Sequence, residues 1–452
     1  MSIEQAIALN RFGFGTRPDD KPPADPKQWL RGQIDGYDAR PALVAAQPDT
    51  IAIATRLADL RRTNDDDAFR KAEGALRRET YRNAVTARLS YAVVTDLPFA
   101  ERLVHFWANH FAVSAEKGVV MPFVGSFEAE AIRPHVMGRF EDMLLAVEHH
   151  PAMIYFLDQT RSVGPDSPAA VRRAQTKGKR DIGLNENLAR EILELHTLGV
   201  RSGYTQADVT EFARALTGWS INVGNDANPD RPPGSFLFRD NVHEPGPRRV
   251  MGQSYWQSGE MQARAVMRDL AAAPQTARHI ATKLARHFAG DEPPPSLVDK
   301  LAEAFTVSKG DLPSLYRVLI EAPECWSARP TKFKSPFDWA ASVLRGSGRK
   351  TFPKLQAATL LRELGQPLWE PGSPAGYDDT TARWAAPDAL VRRVETAQRL
   401  APIFPNRLDP RTLAPRLLAR EPGDGTRVAI ANADTHTTAM TMLLVSPEFQ
   451  RR

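Results

Sequence analysis

The stretch Asn185 to Val200, N-E-N-L-A-R-E-I-L-E-L-H-T-L-G-V, holds three glutamates, an arginine and a histidine within an otherwise good helical pattern. Projected at about 100° per residue, Asn187, Glu191 and Glu194 share a narrow polar sector with Arg190 at its edge, while Leu188, Ile192 and Leu195 lie opposite. His196 falls in the apolar sector. The histidine and the two glutamates of E-x-x-E-x-H therefore cannot take one ion from a regular helix. A polar row of this kind suits a pocket wall whose carboxylates activate water, through a divalent metal or as an acid/base pair. The bland alternative is a solvated helix, since Arg190 stands four residues from both Glu186 and Glu194, with His196 a core histidine bonded to backbone carbonyls.

A second constellation lies in A-E-R-L-V-H-F-W-A-N-H-F. Glu101, His105 and Asn109 share one face at i, i+4 and i+8, with Leu103, Phe106 and Trp107 on the other side and His110 among the apolar residues. A histidine with a carboxylate one turn away suits a metal or an oriented general base. In the turn D-N-V-H-E-P-G-P, His243 and Glu244 could be aimed at a partner, or could mark a plain surface turn. The row His279, Lys283, His287 reads as a solvated basic strip. Trp219, Trp256, Trp369, Tyr377 and Trp384 cluster around irregular segments, where aromatics floor a ligand site or pin loops to a core. The candidate site comprises Glu191, Glu194, His105 and His243 as catalytic groups. Asn187, Arg190, Trp219 and Tyr377 are its substrate contacts, and Glu191, Glu194, His105, Glu101 and Glu244 its ligands for a divalent metal.

The elements that must position these groups are helical. Ala84 to Phe111 reads as two helices broken at Pro98. Thr205 and Asp208 form a capping box that opens a helix closed by Gly218, and Pro274 opens another that stops at Gly290. Further helices are expected over Pro295 to Phe305, Asp311 to Glu321, Pro336 to Arg345 and Ala386 to Leu400. The fold class is mostly α, a large multi-helix domain with long irregular loops and one short β-hairpin. Three segments depart from the pattern: residues 161–180 read as a mobile loop, and 365–384 as a Pro/Gly-rich loop. In 222–252, F-L-F-R-D and R-R-V-M-G are expected to pair around H-E-P-G-P. Loops of this length in a helical chain are more often functional than not.

The chain has 452 residues, enough for a sizeable core; 42% are hydrophobic and 25% charged, ordinary values for a globular protein. A formal charge of +5, from arginines scattered through the chain, gives little support for nucleic-acid binding. The one cysteine, Cys325, excludes an internal disulfide and a cysteine-based zinc cluster. No apolar run reaches the roughly 20 residues that span a bilayer. The N-terminus lacks a basic start followed by an apolar stretch, which makes the cytoplasm the expected compartment. P-loop, dinucleotide-binding, H-E-x-x-H and G-x-S-x-G patterns are absent.

R-F-G-F-G, F-W-A-N-H-F, P-A-M-I-Y-F-L-D, the long run at 185–200, Y-T-Q-A-D-V-T-E-F-A-R-A-L-T-G-W, H-E-P-G-P, F-K-S-P-F-D-W and L-G-Q-P with P-A-G-Y follow one another along the chain. In this series it resembles the bacterial family of uncharacterised proteins catalogued as domain of unknown function eighteen-hundred, over nearly its whole length. The resemblance implies a single helical unit spanning 1–452, export to the periplasm in many members, and a sulfatase-like protein encoded nearby as a partner. H-E-P-G stands where H-D-x-G is common and keeps the carboxylate. The resemblance carries no catalytic residues over. Two functions follow as expectations: a metal-assisted or acid/base hydrolase of a glycan or other polymer, and a non-catalytic partner or maturation factor.

Overall fold

The structure, a computed structural model, describes all residues except 62–64, 176–182, 225–230, Thr331 and Ala419. Eleven helices carry the argument. α1 (Asp66–Val94) is capped by Asp65, whose carboxylate accepts from the amides of Asp67 and Ala68. Pro98 occupies the first turn of α2 (Pro98–His110), where its missing N–H costs nothing. There follow α3 (Phe140–His149), α4 (Gln206–Leu216), α5 (Glu260–Ala272), α6 (Pro274–Ala289), α7 (Pro295–Val307), α8 (Leu312–Glu321), α9 (Pro336–Gly346), α10 (Pro387–Leu400) and α11 (His436–Val445). The Thr205/Asp208 capping box opens α4 as expected. α6 packs on α7, α7 on α8, and α10 on α11. No helix among the described residues is long and apolar enough to cross a membrane.

The strands among the described residues pair differently from the expected hairpin. β1 (Trp219–Ile221) pairs antiparallel with β2 (Phe236–Phe238), and β3 (Arg248–Val250) with β4 (Gln253–Tyr255). F-L-F thus reaches back to W-S-I, and R-R-V turns at Met251–Gly252 onto Q-S-Y. The apolar side chains of F-L-F decide the partner: Phe236 meets Trp219 edge to face. Part of 222–252 lies outside the described residues. So does the end of 161–180, within which Pro168–Ala174 forms a short helix capped by Ser167. In 365–384 the only helix is the single turn Thr381–Trp384. The remainder is a strap that meets α1 at Tyr81, whose hydroxyl donates to the Leu368 carbonyl, and the C-terminal end of α2 at Asn109.

α2 is the buried axis of the fold. Phe99, Leu103 and Trp107 are fully enclosed, and so are its charged residues Glu101 and Arg102. Buried charges must be matched, and each of these is. Arg133 donates to Glu101 and lies 3.4 Å from Glu128, which in turn lies 3.0 Å from Arg88 on α1. Arg102 donates to Asp338 of α9 at 3.0 Å and to the carbonyl of Gly13. Gly13 itself is required by its other neighbours, since a Cβ there would stand 2.7 Å from the Leu9 carbonyl oxygen and 3.3 Å from Pro98. Replacing Arg133 with Leu strands Glu101 and Glu128. We expect it to destabilise the protein by about 3–5 kcal/mol, read as a fall in the urea midpoint. A midpoint within error of the parent would disprove the pairing.

Candidate functional site

Between α2, α6, α9 and the strap lies a cavity of about 340 Å³. α2 contributes Arg102, His105 and Asn109, and α6 contributes Lys283, Arg286 and His287, each set spaced to project from one helix face. The strap closes the opposite side with Trp369, Tyr377 and Asp379. Asn109 fastens it: its amide nitrogen donates to the Tyr377 carbonyl at 2.9 Å, and its oxygen accepts from the Tyr377 amide at 2.8 Å. Gly376 makes this contact possible, since it has φ +81° and a Cβ there would lie 2.3 Å from the Asn109 carbonyl oxygen.

The cavity is cationic. Arg88, Arg102, Lys283, Arg286 and Arg452 line it against Asp338, Asp378 and Asp379. Asp338 is shared by Arg102 and Arg452; Asp379 is 2.7 Å from His287 and 3.0 Å from Lys332. Burial pushes the Asp338 carboxyl up, but Arg102 and Arg452 outweigh it and hold the group down at about 2. The same opposition, with Arg133 and His105 prevailing over burial, holds Glu101 at about 2. Burial lowers His105 to about 3, with Arg88 adding to the effect. Burial also lowers His287 to about 4 against the pull of Asp379. Both rings are therefore neutral donors: His105 Nε2–H points at Glu101 (3.1 Å) and His287 Nδ1–H at Asp379. Three donors in the wall, Arg88 Nε, Trp369 Nε1 and Arg452 Nε, have no hydrogen-bond partner among the described residues, although Arg452 Nε lies 3.2 Å from Asp338.

The sequence-derived candidates divide into two neighbourhoods. His105 and Tyr377 face the cavity, with Glu101 enclosed one turn beneath His105. Asn187, Arg190, Glu191, Glu194, Trp219, His243 and Glu244 do not line it, so the expected convergence on one site does not occur. Each of them has local work. Arg190 bonds to Glu186 at 3.0 Å, and Glu194 accepts from Tyr204 at 3.0 Å. His243 Nδ1 donates to the Thr217 carbonyl at 2.8 Å. Glu244 accepts from the Asp166 amide at 2.8 Å, closing the turn in which Gly164 passes against it. Trp219 stacks on His149 with centroids 4.3 Å apart. The Asn187 backbone amide donates to the Asn185 side-chain oxygen at 3.0 Å. The Glu191 carboxyl is half-buried and pushed up by burial, though His196 opposes this.

The helix carrying this run is not regular. Residues Ile192–His196 form a π-turn, and His196 is buried with Nδ1 2.7 Å from Glu148. Among the described residues no group of three or more His, Cys, Asp or Glu is arranged to hold a metal ion. Of the cavity carboxylates, Asp338 and Asp379 are already matched by Arg, Lys or His, and Asp378 accepts from the Thr380 hydroxyl, which does not fit a divalent cation. The basic row His279, Lys283, His287 is a correction to the sequence reading: it faces the interior, not solvent. Arg102, Asp338, Asp379 and Arg452 were not singled out by sequence. The available signal was a charge embedded in an apolar context, E-R-L-V-H-F-W for Arg102 and P-F-D-W for Asp338.

A second hollow of about 380 Å³ lies behind the first, with Arg88 and Trp369 in the wall of both. Beside it Thr50 Oγ1 is 2.9 Å from His150 Nε2, and Glu130 is 3.4 Å from the same nitrogen. This is not a nucleophile with its base. His150 Nδ1 accepts from the Ala152 amide, so the ring proton sits on Nε2, facing Thr50.

The buried neutral histidines predict an acid-sensitive fold. Burial, then Lys283, lowers His279 to about 4. His105, His279 and His287 all titrate below the ordinary 6.5 when folded, so the unfolded chain binds their protons first. Their contribution is complete above about 6.5 and is lost as pH falls through that value. Glu101 and Asp338 add a further loss from the ordinary carboxylate range down towards about 2. The urea midpoint should thus fall steadily from pH about 7 to about 4; a flat or rising midpoint would contradict the neutral rings. No curated protein and no solved structure matches the chain. Residues 7–451 match the family described as "Protein of unknown function (DUF1800)", and the chain belongs to that family over essentially its whole length.

Proposed function

We propose that the protein binds a small anionic molecule, bearing carboxylate, phosphate or sulfate, in the cavity between α2, α6, α9 and the strap. One observation carries this reading: the unsatisfied polar atoms of the cavity wall are donors. Among the described residues Arg88 Nε and Trp369 Nε1 lack hydrogen-bond partners, and of the Arg286 guanidinium only Nε is bonded, to the Asp291 carbonyl. Donors in a low-dielectric recess favour an acceptor-rich anion. Arg102 and Arg452 supply field more than contacts: apart from Arg452 Nε, which lies 3.2 Å from Asp338 without a hydrogen bond, their donors are spent on Asp338 and on backbone carbonyls.

A second reading is acid/base hydrolysis of the bound molecule, a glycan or other polymer, and it rests on His105. Its Nε2–H is fixed on Glu101, which leaves Nδ1 as an acceptor on the cavity side of the dyad. Arg133 draws on the same carboxylate and weakens it as a base orienter. The non-catalytic partner role keeps the same pocket as a ligand site without chemistry.

Thermal shifts with phosphate, sulfate and pyruvate, against chloride at matched ionic strength, test the main reading. We expect stabilisation that saturates, and an affinity reduced about tenfold or more in Arg286→Ala, the scale of one lost charged hydrogen bond. Gly376→Ala should weaken binding as well by forcing the strap off Asn109. Anions no better than chloride, or equal responses in parent and Arg286→Ala, would rule the cavity out as an anion site.

A further inference from the structure

The lysines of this protein are not equivalent. Lys27, Lys117, Lys300 and Lys332 each lie within 3.3 Å of a carboxylate. Lys283, on the cavity face of α6, has no carboxylate at ion-pair distance among the described residues. Its Nζ instead donates to His110 Nδ1 at 2.9 Å. That ring cannot be protonated at Nδ1, because its other nitrogen, Nε2, donates to the His196 carbonyl at 3.1 Å and must carry the proton. His110 is thus a neutral acceptor, and burial together with Lys283, His279 and His196 keeps it so. The amine is held by a bare imidazole nitrogen, in a cavity that also holds Arg286, three residues on along α6.

We propose that Lys283 is a nucleophilic amine that forms an imine with the carbonyl carbon of a small 2-oxo acid, whose carboxylate is held by Arg286. The inference rests on the anion-binding reading of the cavity and gives it a ligand class. Residues three apart on a helix have Cβ atoms about 5–6 Å apart, so one small molecule can meet both groups. The step balances without a further reactant. The Nζ lone pair attacks the carbonyl carbon, and the C=O π pair moves to oxygen, which takes a proton. The carbinolamine then loses water as nitrogen gives up its proton, and the C=N bond forms. Both protons that leave Nζ depart with the carbonyl oxygen as water, while His110 Nδ1 orients the amine.

The environment leaves part of the amine free. Burial lowers Lys283 from 10.5 to about 8, Asp379 of the strap pulling up and Arg286 pushing down. His110 on α2 and His279 and His287 on α6 are neutral and oppose nothing. At pH 7 a group with that value has about 300 times more free base than an ordinary lysine.

The full-length protein is incubated with pyruvate and sodium borohydride, adducts are located by peptide mass spectrometry, and pyruvate binding is followed separately by calorimetry. We expect a borohydride-stable adduct concentrated on the Lys283 peptide, increasing as pH rises towards about 8. It should be absent in Lys283→Arg and Lys283→Met, each checked for folding by circular dichroism; the mapping in the parent protein stands even if both variants misfold. Pyruvate that binds without an adduct, or adducts spread evenly over exposed lysines such as Lys27 and Lys300, would overturn the imine and keep the anion site. Absence of both binding and adduct would remove both.

Discussion

The contact of Arg133 with Glu101 is the interaction on which the rest of the structure depends. Each side chain is about 1% exposed, and an isolated charge at that depth is untenable. Pairing them lets α2 run through the centre of the molecule while carrying a carboxylate on its buried face. From there the charges alternate outwards, His105 above and Glu128 and Arg88 beyond. The ladder fixes His105 as a neutral ring with a known proton position and brings Arg88 up beside Phe337 and Trp369, whose faces take its guanidinium at 5.6 and 5.2 Å. Core and cavity wall are thus one construction, and the polar residues there serve specificity of arrangement as much as stability.

The motif segments take on physical meaning in this setting. Arg11 of R-F-G-F-G donates to the carbonyls of Cys325, Ser327 and Arg329, tying the N-terminus to the 3₁₀ turn after α8. Phe14 of the same motif lies under the Arg102 guanidinium and beside His105. F-K-S-P-F-D-W supplies the Ser335 cap of α9 and the carboxylate shared by Arg102 and Arg452. P-A-G-Y brings the strap onto Asn109. H-E-P-G-P and the run at 185–200 form a separate region around α3 and α4, organised by Glu148, Thr217 and Glu186. The two regions meet where Lys283, His110, His196 and Glu148 follow one another from the cavity inwards.

The helices were legible because caps, prolines and the 3.6 periodicity are local. The break at Pro98, the box at Thr205 and the start at Pro274 stand where the spacing puts them. The face shared by Glu101, His105 and Asn109 was equally local, and it is the face turned to Arg133, the cavity and the strap. What could not be read was pairing across the chain. Strand partners follow from which aromatic surfaces meet, and Phe236 lies beside Trp219 in a three-ring cluster that His149 of α3 completes. The carboxylate row at Glu191 and Glu194 carried the strongest local signal for chemistry, yet its neighbours are 148, 196 and 204. Conversely, His279, Lys283 and His287 look like a wet strip until Leu195, His110 of α2 and the strap are in place. Charge on a helix face says that something must match it, and only the tertiary fold says what.

The shared wall between the two hollows has a consequence for variation at Arg88 and Trp369. Both side chains are bounded by empty space on two sides, and Trp369 holds its position with a left-handed backbone at φ 54°. Shortening either one does not enlarge a single chamber; it opens a passage and merges two compartments of similar size. Lengthening either one narrows both at once. These positions therefore cannot be tuned for one compartment independently of the other, because the wall common to the two hollows is made by these two side chains.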